Sequence, residues 1–139
     1  MAENIRSVMT GDPATLPADA SVVEAARVMR QHDCGDVIVT DNGSILGIAT
    51  DRDVVVRCIA EGQDPAKTRV GDVCTKNLVT LRPTDTINAA VRLMSQKSIR
   101  RLPVVEDGKA LGIVSLGDLA QARDRKSALG QISAAAPSH

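Results

Sequence analysis

The stretch ILGIATDRDV at residues 45–54 returns as ALGIVSLGDL at residues 110–119, and this return decides the fold. The likeness extends backwards from both stretches. Residues 73–119 lie over residues 8–54 at a constant offset of 65 without a gap, and fourteen positions are identical. A half of about 60 residues buries only about 60% of its unfolded surface and is marginal alone. We therefore expect the two copies to pack into one globular body with internal pseudo-symmetry.

Each half predicts the element order β-α-β-β-α. A capping serine and apolar residues at helical spacing predict a helix from about Ser21 to about His32, and Thr86 begins its counterpart. Asn42-Gly43 and Asp107-Gly108, each between apolar runs, predict β-hairpins. A short strand precedes the first helix of each half, around residues 14–16 and 79–81, and a hydroxyl residue, Thr50 or Ser115, opens the second helix.

These elements predict four segments. Residues 1–62 form the first repeat, residues 63–68 the linker, and residues 69–122 the second repeat. Residues 123–139 form a C-terminal extension that we expect to be loosely held towards its end.

Composition narrows the classes of function. The chain has no aromatic residue, so the stacking platforms of single-strand nucleic-acid binders are missing. Seventeen basic side chains balance seventeen acidic ones, which disfavours DNA binding. The net charge is −5 over residues 1–67 and +5 over residues 68–139. An anion would therefore be attracted to the second half, or the two halves attract each other; both interpretations stay open.

Other motifs predict a cytoplasmic protein that is not an enzyme. Cys34, Cys58 and Cys74 are odd in number and lie in apolar surroundings, which predicts reduced thiols in a reducing compartment. No segment is long and apolar enough for a membrane span, and the N-terminus lacks a secretory signal. Catalytic motifs and metal-ligand spacings are also missing.

The chain resembles the CBS-domain pair, also called a Bateman module, from about Ser7 to Leu119. Within that family it resembles small stand-alone bacterial proteins, including the hypoxic-response type. The resemblance implies an α+β fold of two tandem βαββα repeats packed with pseudo-two-fold symmetry. It also implies regulation without catalysis, a homodimer, and adenosine-containing ligands in the cleft between the repeats. The motifs that carry it are residues 8–10 with 73–75, 47–53 with 112–118, and 100–105.

Thr50 and Asp53, repeated as Ser115 and Asp118, are the central candidates for a nucleotide site. A helix N-terminus and a hydroxyl suit a phosphate, and an aspartate one turn later can accept from two ribose hydroxyls. The alternative is an ordinary capping motif that needs no ligand. The repetition favours nucleotide contact by at least one copy.

Three arginines are candidates for phosphate contact: Arg52, Arg100 and Arg101. Arg52 is matched by Gly117 in the second half, so the two sites should differ. In the first half, Gly35 and Asp36 stand where the second half has the arginine pair, and Asp36 would repel a phosphate. We therefore expect the phosphate groups of a nucleotide to lie towards the arginine pair in the second half. The alternative for all three is a solvated or salt-bridged surface side chain.

Without aromatic residues, an adenine would have to lie between aliphatic side chains and be recognised by backbone groups. Apolar residues at these places are otherwise simple core. Ile38 stands where the second repeat and most family members have proline, which makes the shape of the first pocket uncertain. The candidates are Thr15, Val37 and Ile38 in the first half, and Thr80, Leu102 and Pro103 in the second.

Two functions follow from this reasoning. The first is a sensor that binds AMP, ADP or ATP, before NAD or S-adenosylmethionine, and modulates an unknown partner protein without requiring a cofactor. The second is a structural or interaction module with empty clefts that acts through dimerisation.

Overall fold

The computed structural model describes residues 4–76 and 78–126. The chain forms two compact units. Among the described residues, the first unit contains residues 12–76, 78 and 107–110, and the second contains residues 4–11, 79–106 and 111–126. Of the predicted C-terminal extension at residues 123–139, residues 123–126 belong to the last helix, and residues 127–139 lie outside the described residues.

Helices and strands follow the predicted order in the first half, and in the second half except for the strand at residues 79–81. The expected α+β class with two tandem repeats is confirmed. In chain order the elements are α1 (Ile5–Val8), β1 (Thr10–Gly11), β2 (Thr15–Pro17), α2 (Val22–His32), β3 (Asp36–Asp41), β4 (Ser44–Thr50), α3 (Asp51–Asp53) continuing as a π-helix (Val54–Ile59), α4 (Val70–Val73), α5 (Ile87–Lys97), β5 (Arg101–Glu106), β6 (Lys109–Ser115) and α6 (Leu116–Lys126).

The sheet of the first unit has the order β2-β3-β4. Strand β2 runs parallel to β3 with Thr15 opposite Ile38. Strand β4 returns antiparallel after a turn in which Asn42 and Gly43 have φ values of 51° and 83°. Two successive positive φ angles define the tight turn that asparagine–glycine pairs favour, which confirms the predicted hairpin.

Alternation along β3 decides which of its side chains enter the core. Val37 and Val39 join Val22, Ala25 and Met29 of α2 in one buried cluster. The side chains of neighbouring strand residues point to opposite faces. The apolar face of α2 therefore covers one side of the sheet, as its helical spacing predicts.

The sheet of the second unit has the order β1-β6-β5. The hairpin that joins β5 to β6 turns at Asp107 and Gly108, with φ values of 54° and 78°, as predicted. The predicted strand at residues 79–81 is reduced to one parallel bridge between Leu81 and Val104, where Leu81 donates to Pro103 and accepts from Val105.

The short segment that heads each half packs with the other half's repeat. Ile5 of α1 is fully buried in the core of the second unit. Val70 and Val73 of α4 are buried in the core of the first unit. The predicted boundaries at residues 62 and 69 follow the duplication in the sequence, whereas each compact unit combines a repeat with the other half's head segment.

The linker at residues 63–68 folds as a compact turn on the first unit. The Asp64 carboxylate accepts from the Ala66 N–H, and the Asp64 carbonyl accepts from the Thr68 N–H. The Thr68 carbonyl then accepts from the Val22 N–H at 2.9 Å, at the start of α2.

Over the described residues, no helix combines the length and the apolar content that a membrane crossing requires.

Candidate functional site

Thr50 caps the helix that begins at Asp51. The Asp53 N–H donates to Thr50 Oγ1 at 3.1 Å, and the Thr50 N–H donates to Asp53 Oδ2 at 3.0 Å. These reciprocal bonds form a capping box. The hydrogen bonds of a capping motif are therefore present at this pair, and they leave Asp53 Oδ1 outside the box.

Ser115 and Asp118 repeat the same geometry in the second unit. The Asp118 N–H donates to Ser115 Oγ at 3.1 Å, and the Ser115 N–H donates to Asp118 Oδ2 at 2.9 Å. Both carboxylates are partly buried rather than solvent-exposed. The duplication has therefore preserved a fixed hydroxyl and a fixed carboxylate at the start of the same helix in both units.

A backbone bond at each helix start joins the cap to the residue just before the first strand of the hairpin, β3 or β5. The Asp51 N–H donates to the Gly35 carbonyl at 3.0 Å, and the Leu116 N–H donates to the Arg100 carbonyl at 2.8 Å. The second cap therefore lies beside the arginine pair at residues 100–101. In the first unit, Asp36 is the strand partner of Thr50.

The two caps differ in charge. At the first, the Arg52 N–H donates to Asp51 Oδ1 at 2.8 Å, so an acidic side chain of the protein already occupies that amide. Leu116 replaces Asp51 at the second cap and offers no carboxylate. The Arg52 and Arg100 side chains are exposed, and Arg101 is half-buried. An anionic group would meet less acidic charge at the second cap than at the first.

The aliphatic candidates divide between two faces of their sheets. Val37 and Leu102 belong to the cores of their own units. Ile38 is also fully buried and Pro103 is buried, but neither belongs to those clusters, because alternation turns them to the other face. Thr15, the neighbour of Ile38 across the sheet, is exposed.

The candidate residues of each half all lie in one unit. Thr15, Val37, Ile38, Thr50, Arg52 and Asp53 lie in the first, and Thr80, Leu102, Pro103, Arg100, Arg101, Ser115 and Asp118 in the second. Thr80 is exposed. An open groove of about 480 Å³ between α5 and α6 contains none of them, since it is lined by Asn88, Val91, Arg92, Ser95, Gln96 and Arg123.

The sequence reasoning missed Arg57, which contacts the first cap. Its Nε lies 3.6 Å from Asp53 Oδ1. Its Nη1 donates to the carbonyls of Val73 and Cys74 at 3.3 and 3.2 Å. The sequence does contain a signal for this contact. Arg57 follows Asp53 by four residues in a predicted helix, and oppositely charged residues at that spacing lie on the same helix face.

The cysteines carry free thiols, and Cys58 and Cys74 are buried. Burial raises the pKa of the Cys74 thiol above its ordinary value, because removal from water disfavours the thiolate. Within residues 4–76 and 78–126, no group of three or more His, Cys, Asp or Glu side chains could hold a metal ion.

The duplicated unit with its paired caps defines the class: an α+β protein of two tandem repeats of one fold. The sequence model of the CBS domain matches residues 5–59 and 70–125. The chain therefore belongs to the CBS-domain family.

Named relatives match most of the chain. CBS domain-containing protein YhcV of Bacillus subtilis is 39% identical over 117 residues, covering 84% of this chain and 83% of YhcV. Hypoxic response protein 1 of Mycobacterium tuberculosis is 28% identical, covering 84% of this chain and 82% of that protein. The predicted likeness to small stand-alone CBS proteins of the hypoxic-response type is confirmed.

Solved structures share the fold. The crystal structure of Hypoxic Response Protein I, which has two coordinated zinc ions, superposes with a TM-score of 0.77 at 27% identity over 85% of this chain and 97% of that one. The CBS domain pair of MJ0100, in complex with 5′-methylthioadenosine and S-adenosyl-L-methionine, superposes with a TM-score of 0.81 over 91% of this chain and all of that one. At 23% identity the second likeness shows the fold alone.

Proposed function

We propose that this protein is a regulatory module that binds adenosine-containing nucleotides, AMP, ADP or ATP before NAD or S-adenosylmethionine, and modulates a partner protein without catalysing a reaction. The observation that carries the proposal is the paired cap. Each unit holds one hydroxyl and one carboxylate in the same fixed geometry at a helix start. A fixed carboxylate oxygen can accept both hydroxyls of a ribose. A CBS pair of this fold holds two adenosine compounds in MJ0100.

The remaining candidates have separate roles in this proposal. Because Ile38 and Pro103 are buried, we expect the exposed Thr15 and Thr80 to contact the adenosine, while Ile38 and Pro103 shape the apolar sheet face turned away from the core clusters. We expect Val37 and Leu102 to act indirectly, because each packs in the core of its unit.

Phosphate groups should favour the second cap over the first. Arg100 and Arg101 stand at the strand start beside that cap, and guanidinium groups bind phosphate oxygens through paired hydrogen bonds. At the first cap, Asp36 and Asp51 would repel a phosphate, although Arg52 is available to offset part of that repulsion.

Isothermal titration with AMP, ATP, NAD and S-adenosylmethionine tests the proposal, combined with Asp53→Asn and Asp118→Asn. Asparagine keeps an acceptor oxygen for the cap and removes the negative charge. We expect each variant to lose binding at its own site, and the double variant to lose both. Asp64→Asn is the matched control, because that carboxylate also accepts a backbone N–H but lies in the linker turn.

The thermal midpoint gives a second readout, since a ligand at one hundred times its dissociation constant adds about 2.7 kcal/mol of stability. If none of the four compounds binds the wild-type protein, nucleotide sensing is refuted. The alternative, an interaction module with empty sites, is favoured by one observation: both caps are complete without a ligand. It predicts that Asp53→Asn changes only stability.

We also propose a homodimer formed through the π-helix. Val55, Val56 and Ile59 are 57%, 43% and 53% exposed there, although they are large apolar side chains. Exposed apolar patches mark interaction surfaces. Light scattering after size exclusion should show a dimer for the wild type and a monomer for Ile59→Glu. A monomeric wild type at micromolar concentration would contradict this assembly.

We place this module in the cytoplasm. Its three free thiols, two of them buried, fit a reducing compartment.

A further inference from the structure

The second helix of the first repeat contains one residue more than its counterpart. The Ala60 N–H donates to the Val55 carbonyl at 2.8 Å, which is a π-type bond between residues five apart. Cys58 is buried on the first of these helices, and its nearest buried counterpart on the second is Ala122, one turn after buried Leu119; Cys58 and Ala122 differ by 64 positions rather than 65. Single π turns inside helices occur frequently at functional sites.

By the offset of 64, Arg57 of the first repeat corresponds to Gln121 of the second. The Arg57 guanidinium faces two groups at once. Its Nε lies 3.6 Å from Asp53 Oδ1, the carboxylate oxygen that the capping box leaves open. Its Nη1 donates to the Val73 and Cys74 carbonyls, at the C-terminal end of α4. Terminal helix carbonyls carry partial negative charge and favour a cation.

The Val73 and Cys74 carbonyls that Arg57 contacts lie immediately before Thr75, which pairs with strand β4. The Thr75 N–H donates to the Ile48 carbonyl at 2.8 Å, and the Ile48 N–H donates to the Thr75 carbonyl at 3.1 Å. Arg57 therefore lies between the candidate ligand carboxylate and the segment at residues 73–75. The Asp53 side chain is only 12% exposed and that of Arg57 is 50% exposed, so one end of this link is shielded from water.

We propose that Arg57 is a positioning residue that links the carboxylate of Asp53 to the head segment at residues 73–75. It holds Asp53 Oδ1 in place and fixes the end of α4 with the same guanidinium. A ribose diol that donates to Oδ1 would weaken the attraction between Asp53 and Arg57, and the guanidinium would then bind the two carbonyls more tightly. This last step rests on the proposed function; the link itself does not.

Hydrogen exchange of the Thr75 and Ile48 amides tests the link without any nucleotide. We expect Arg57→Gln to raise both exchange rates about three- to fivefold, because a partly exposed ionic contact has a modest energy. Arg57→Lys should restore part of the protection. The matched control Arg30→Gln removes the same charge from an exposed position on α2 of the same unit and should leave both rates unchanged.

A double-mutant cycle separates coupling from a merely local effect. Asp53→Asn should also raise the Thr75 exchange rate. In protein that already carries Arg57→Gln, adding Asp53→Asn should raise that rate by a smaller factor than it does in the wild type. Additive effects, or a Thr75 rate unchanged in Arg57→Gln, would overturn the proposal.

AMP supplies the ligand arm, in protein carrying Asp118→Asn so that only the first site is measured. We expect AMP to slow Thr75 exchange further with Arg57 present and to have no such effect in Arg57→Gln. Equal protection by AMP in both proteins would refute the ligand step. If AMP fails to bind the wild type, the proposed function fails for this ligand, while the nucleotide-free cycle still decides whether Arg57 links the two groups.

Discussion

Gly112→Ala should disrupt the place where the N-terminal head segment joins the second unit. Gly112 on β6 is the register partner of Gly11 on β1. A Cβ at Gly112 would overlap the Thr10 carbonyl oxygen and would lie 2.9 Å from Met9 Sδ. The methionine side chain can move aside, but the carbonyl is backbone held in the strand pairing. The ladder itself would therefore have to shift.

Overpacking of this kind costs about 1–3 kcal/mol, and we expect the upper half of that range because the blocking atom is backbone. The matched control is Gly11→Ala, since a Cβ at Gly11 meets no atom within 4 Å. Both substitutions reduce the entropy of the unfolded chain by a similar amount, about 0.4–1 kcal/mol in the stabilising direction. The difference between the two variants isolates the clash.

Urea denaturation followed by circular dichroism measures that difference, and a thermal scan should show the Gly112→Ala midpoint about 8–12 °C below that of Gly11→Ala. The reasoning is refuted if the two variants agree within about 0.5 kcal/mol, the range of neutral surface substitutions. Such agreement would mean that β1 is not held against Gly112 in solution.

Four other predictions concern a turn, a cap and the cysteine thiols. Gly43→Ala should lower the unfolding free energy by about 1 kcal/mol in urea denaturation, because its φ of 83° strains any residue with a Cβ although no atom lies nearby. Thr86→Ala should lower it by about 1 kcal/mol, because the Ala89 N–H loses its acceptor. A thiol reagent should label half-buried Cys34 in the native protein and buried Cys74 only after unfolding. Since the folded pKa of Cys74 is raised, the unfolded state loses this proton first, and stability should fall as pH rises above about 8.5 in the wild type but less in Cys74→Ala.

Local chemistry explains what could be predicted from the sequence. The two hairpins follow from Asn42-Gly43 and Asp107-Gly108, whose side chains and backbone accept the positive φ angles that the structure shows. The helices follow from caps and apolar spacing, and α2 begins where Ser21 accepts from the Glu24 N–H. Each of these features is decided within a few neighbouring residues.

Contacts between distant parts of the chain were out of reach for the same reasoning. The offset of 65 aligns the head segments with each other but does not say with which sheet each one packs. Gly47 and Gly112 are identical between the two halves of the sequence. The requirement for glycine at these positions comes from the backbone carbonyls of Thr75 and Thr10, which leave no room for a Cβ. The carbonyl partners of Arg57 lie 16 and 17 residues away, and no short-range pattern indicates them.

The surroundings of the two caps explain why the two sites should prefer different nucleotides under the proposed function. The caps are alike, so under that function both would hold a ribose, but their surroundings have diverged in charge. The first cap has Asp51 beside it and its carboxylate is shared with Arg57, whereas the second has Leu116 in place of Asp51 and Arg100 at the adjoining strand start. A nucleotide rich in phosphate should therefore fill the second site first. The first site would then be free to respond to a less charged adenosine compound, and Arg57 would connect that occupancy to the head segment.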